Sequence, residues 1–92
     1  MHDSIPIMSL VRTIKAVADN YRAPRVLAVN IWLGALAGLA PQTLREGFAS
    51  ASVATRLEGA RLDITVPDDA DHSDAREILI LSVKLAEAQS AA

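Results

Sequence analysis

The first three residues offer the densest set of metal donors in the chain: Met1 brings a free α-amine, His2 a main-chain nitrogen and an imidazole, and Asp3 a carboxylate. The amine, the His2 amide nitrogen and the imidazole can close fused chelate rings around one ion, with Asp3 as a fourth donor. Nitrogen-rich, tetragonal sites of this kind suit Ni(II) or Cu(II) better than zinc or magnesium. Aminopeptidases act poorly when the second residue is as large as histidine, so the amine is expected to remain that of Met1. On the residues alone, the competing reading is a terminal histidine with no ligand role.

The other constellations carry less chemistry. His72 stands among Asp68, Asp69, Asp71 and Asp74. Imidazole and carboxylate are both metal ligands, but a stretch without a large apolar residue reads first as a solvated acidic loop. Ser50 and Ser73 have no candidate base in any readable pattern, and no nucleophile, base or cofactor loop emerges. The sequence therefore argues against an enzyme. The chain has no cysteine, which excludes a disulfide framework, a thiolate zinc site and a cysteine nucleophile.

A length of 92 residues bounds the chain to one domain, residues 1–92. Its 51% apolar and 22% charged content is that of an ordinary globular domain. With Tyr21, Trp32 and Phe48 as the only aromatics, the core must come from Leu, Ile, Val and Ala. A formal charge of −2 with scattered Lys and Arg provides no basic stripe, so nucleic acid is not an expected partner. No basic leader precedes the first apolar run, where Asp3 stands instead, so no signal peptide is expected. The longest weakly charged stretch, Val26 to Thr43, is broken by Asn30, two glycines and Pro41, which argues against a membrane span.

The donors at residues 1–3 need an element to hold them. Ile7, Leu10, Val11, Ile14, Val17, Ala18 and Tyr21 recur at helical spacing opposite Arg12, Lys15, Asp19 and Arg22. Asp3 or Ser4 can cap this helix, Pro6 fits its first turn and Pro24 stops it. Val26 to Leu33 reads as a strand with Leu27, Val29, Ile31 and Leu33 on one face and Asn30 and Trp32 on the other. Gly34 and Gly38 mark a loop, and Pro41 opens a second helix with Leu44, Phe48, Ala51 and Thr55 inward and Gly47 weakening its interior. Leu62, Ile64 and Val66 alternate in a second strand, Pro67 closes it, and a third strand runs from about Ile78 to Leu85. The order α-β-α-β-β predicts an α+β fold, a two-layer α/β sandwich with two helices over one face of a small three-stranded sheet.

These pieces in this order resemble the HypA/HybF-type hydrogenase nickel-incorporation chaperones. The resemblance is carried by Met1-His2-Asp3, Leu10-Val11, Ala28-Val29 through Gly34-Ala35-Leu36, Pro41, Leu44, Phe48, Leu57-Glu58-Gly59-Ala60, and Arg76-Glu77-Ile78 through Ser82-Val83-Lys84-Leu85. It implies a cytoplasmic metallochaperone that binds Ni(II) through Met1, His2 and Asp3. The implied recipients are a maturation GTPase or a [NiFe]-hydrogenase large-subunit precursor. Two departures stand out. Asp3 occupies a position where the family pattern has Glu, one methylene longer. The family's insertion with two Cys-x-x-Cys pairs is replaced by the short acidic loop 68–75, so no zinc is expected. The alternative is an interaction module or accessory subunit of a hydrogenase maturation complex that carries no metal.

Two apolar features exceed what a small sheet with two helices needs. Trp32, on the outer face of the first strand, either packs into the core or meets a partner. The run Ile78-Leu79-Ile80-Leu81 suits a strand buried on both faces or one covered by another chain, a homodimer being one outcome.

Overall fold

A computed structural model of the chain describes residues 4–68, 71 and 75–87. The elements run α1 (Ser4–Asn20), β1 (Val26–Leu33), α2 (Pro41–Ser52), β2 (Arg61–Thr65) and β3 (Ile78–Leu85), the order read from the sequence. The sheet is mixed, with β1 in the centre, β2 parallel to it on one side and β3 antiparallel on the other. A parallel neighbour requires a crossover, and α2 provides it.

The core joins Ile7, Leu10, Val11, Ile14 and Ala18 of α1 to Val26, Val29, Ile31 and Leu33 of β1, with Leu44 and Phe48 of α2, Leu57 and Leu62. Ile64, Ile78, Ile80, Val83 and Leu85 pack against it with one side still reached by solvent. Leu10, Ile14, Val29, Ile31 and Phe48 are buried, whereas Ile64 and Ile80 are half-buried because β2 and β3 are edge strands.

Four side chains depart from the simple periodicities. Leu27 is exposed, not inward, because the β1–β3 register slips between Val26 and Ala28 and makes Leu27 an extra residue in the ladder. Tyr21 is exposed because α1 ends before it. Ala51 is exposed and Ser52 buried, so α2 buries positions 44, 48 and 52, one side chain per helical turn. Val66 lies beyond the end of β2 and is exposed.

The end of α1 is set by backbone geometry ahead of Pro24. Arg22 has φ of +52°, Ala23 N donates to Ala18 O at 2.9 Å, and Arg22 N donates to Asp19 O at 3.1 Å. This is a Schellman cap, and the residues at its apolar positions, Ala18 and Ala23, are both buried. It normally uses glycine at the left-handed position, and arginine there accepts a steric cost.

Candidate functional site

The metal ligands expected from the sequence, Met1, His2 and Asp3, lie outside the described residues, as does His72. What is described is the scaffold that Met1, His2 and Asp3 adjoin. The chain passes from α1 through a short turn into β1, so the helix runs antiparallel to the strand and Ser4 stands at the end where β1 finishes. The crossover helix α2 likewise starts there. The two helices are therefore parallel: Gly47 of α2 lies beside Ile7, and Arg56, just past α2, pairs with Asp19 near the end of α1.

One end of the molecule thus gathers the first turns of both helices, the C-terminal ends of β1 and β2 and the start of β3. Main-chain bonds tie it together, with Gly34 N donating to Glu77 O at 2.9 Å and Leu36 N to Ala75 O at 2.7 Å. Ala75 is buried by this contact, an exception to the solvated acidic loop expected over 68–75. Asp68 and Asp71, the described acids of that connection, are exposed at this same end.

Three features hold α1 in place. Its inward face is buried along Ile7, Leu10, Val11, Ile14 and Ala18. Its first half approaches α2 closely at Gly47, where a Cβ would sit 2.5 Å from Ile7 Cδ1. The glycine that weakens the α2 interior is thus what lets the two helices meet. At the far end, Arg56 Nη1 donates to Asp19 Oδ1 at 2.6 Å. This pair is largely exposed, so its part is to fix orientation more than to add stability.

The first turns of α1 and α2 contain no acidic residue. The first-turn amides of a helix carry partial positive charge, which at this end favours an anionic group such as a carboxylate or a deprotonated amide. Among the described residues, no three His, Cys, Asp or Glu side chains gather closely enough to hold an ion. A metal site at this end would draw at least in part on residues outside the described ones, which include Met1, His2 and Asp3 and also Asp69, His72 and Asp74.

Sequence reasoning missed two long-range clamps. Arg45 Nη1 of α2 donates to the Leu62 carbonyl of β2, and Arg25 Nη2 donates to Glu58 O at 3.3 Å. Nothing in the periodicity distinguishes these arginines from solvated ones, since their partners are main-chain carbonyls distant in sequence.

Comparison with known proteins bears on the whole arrangement. Residues 1–71 match a family described as hydrogenase/urease nickel incorporation, metallochaperone, hypA. Hydrogenase maturation factor HypA of Chlorobium limicola is 39% identical over 64 residues, 70% of this chain and 55% of that protein. The same factor of a Roseiflexus species is 42% identical over 64 residues, 70% of this chain and 52% of that protein. The chain thus spans about half the length of the curated relatives it matches. In three dimensions it is similar to the solution structure of the Ni metallochaperone HypA from Helicobacter pylori, with a TM-score of 0.74 at 14% identity over 89% of this chain and 95% of that one. At that identity the likeness bears on the fold.

Proposed function

The chain belongs to the HypA family of hydrogenase/urease nickel-incorporation metallochaperones, and from that premise we propose that it carries Ni(II) at Met1, His2 and Asp3 during [NiFe]-hydrogenase maturation. The observation that supports this most is that the family match includes residues 1–3, whose donors form a chemically coherent Ni(II) set. The scaffold adds a physical reason. A helix N-terminus stabilises negative charge, and binding through the His2 amide requires that nitrogen to become anionic. Asp3 also faces two uses, as a ligand and as a cap for the amides of α1.

In this reading nickel is cargo. The recipient is a maturation GTPase or a hydrogenase large-subunit precursor, the compartment is the cytoplasm, and residues 68–75 stand in place of the family's zinc-binding insertion. No helix of the described residues is long and apolar enough to cross a membrane.

A second reading keeps the fold as a docking module of a maturation complex without metal carriage. It is favoured by Asp3 in the place of Glu and by the half-exposed apolar strand β3. Calorimetric titration of Ni(II) into protein with a native Met1 amine decides between them. The carrier reading expects a single nickel site that is lost when residues are added ahead of Met1. Binding that is absent from the native protein, or that survives the extension unchanged, leaves the docking reading.

A further inference from the structure

We propose that the free edge of β3 pairs with β3 of a second copy, antiparallel and in the register that sets Glu77 of each copy opposite Lys84 of the other. The inference is independent of nickel.

The two edges of the sheet differ in a way that singles out β3. β2 is five residues long and carries Arg61 and Asp63, ion-paired at 3.0 Å. A short, charged strand is a protected edge. β3 is eight residues long, with Lys84 its one charge, and no described strand lies against its outer edge. Such an edge presents a row of main-chain donors and acceptors to any strand that can reach it.

The adjoining helix surface leaves room for a second strand. Ser9 and Thr13 of α1 line a groove of about 390 Å³ beside Ile78, Leu79 and Ile80. The charged side chains of α1, Arg12, Lys15 and Asp19, line the opposite groove toward Ala51 of α2. The flank of α1 above β3 is therefore uncharged, and the charges of this groove, Arg76 and Glu77, come from the residues that lead into β3.

The register follows from the ladder. Glu77 O accepts from Gly34 N, and Ala86 N donates to Arg25 O, so the main-chain groups of residues 77 and 86 point at the centre of the sheet. Alternation from these anchors, with the slip at Leu81, turns the main-chain groups of Ile78, Ile80, Val83 and Leu85 outward. Two copies can bond only where outward groups meet. A two-fold axis between residues 80 and 81 matches Ile78 with Val83 of the other copy. It places Leu79 opposite Ser82 and Glu77 opposite Lys84 in the intervening pairs. Glu77 and Lys84 are both exposed, and the symmetry forms this opposite-charge pair twice. Sliding by one pair, so that Leu79 meets Lys84, keeps the backbone match but loses both charge pairs.

Sedimentation of the metal-free protein across a concentration series tests the idea. A monomer–dimer equilibrium is expected, with Glu77→Lys and Lys84→Glu each weakening the dimer on the order of tenfold. The double variant should restore it. Oxidation of Leu79→Cys/Ser82→Cys should link two chains, since these are the only thiols and the intervening pairs bring Cα atoms within disulfide reach. Leu79→Cys/Lys84→Cys should link poorly. A chain that stays monomeric at every concentration overturns the proposal, even if a different protein is later found on this edge. A dimer indifferent to both charge reversals, or one linked better through 79 and 84, overturns the register.

Discussion

At the scale of single residues, the proposed nickel site makes a signed prediction about pH. The amine and imidazole must lose their protons to bind, and their reference pKa values are about 7.7 to 8.0 and about 6.5. Affinity should therefore rise as pH increases through that window. His2→Ala removes the imidazole and should cost most of the affinity. Asp3→Ala should cost less, because the nitrogen donors remain, although it also removes a potential cap of α1. His72→Ala should change little. The bound ion should show the absorption of a planar, diamagnetic Ni(II) centre, and unchanged affinity in His2→Ala would end the metal-carrier reading. A second residue-scale prediction concerns Arg22, whose φ of +52° a side chain adopts at a cost. Arg22→Gly should stabilise the fold by roughly 0.5 to 1 kcal/mol, read as a higher urea midpoint at unchanged slope.

At the scale of elements, the contact between the parallel helices is the point of least slack. Gly47→Ala gains up to about 1 kcal/mol of helix propensity but pushes the end of Ile7 into another rotamer, at about 0.5 to 1.5 kcal/mol. The two nearly cancel, and Gly47→Ala should unfold within about 1 kcal/mol of the parent. Gly47→Leu cannot be absorbed by rotating one methyl group and should cost about 1 to 3 kcal/mol in urea denaturation. A Leu variant as stable as the parent would mean that the helices separate freely at this point. Because α1 leads directly to residues 1–3, the same variant should also weaken nickel binding if helix placement matters to the site.

For the molecule as a whole, the cluster joining α1, β1 and α2 is built from apolar side chains, with Ser52 buried beside them, and a core of this kind predicts folding without metal. The folded circular dichroism signal should persist in excess chelator, and its loss would require a metal-dependent fold. Phe48, 3% exposed between helix and sheet, should cost about 3 to 5 kcal/mol when replaced by alanine, enough to unfold much of a small domain.

The sequence by itself determined the element order, the α+β class and the bounds of β1, since period 3.6 in α1 and the β-branched run from Val26 to Leu33 are local signals of burial. It also singled out Met1, His2 and Asp3 as the proposed donor set, because chelation by adjacent residues needs no tertiary partner. Tertiary structure alone decided that β1 takes the centre of the sheet, that β2 runs parallel to it and that the first turns of both helices share one end with the β2–β3 connection. It also turned Leu27 and Leu81 outward, because a bulge arises from the match between two strands and is written in neither one alone. Ser52 replaced Ala51 in the interior for a related reason: the direction a helix faces is set by what packs on it, and two adjacent small residues leave the periodicity unable to choose.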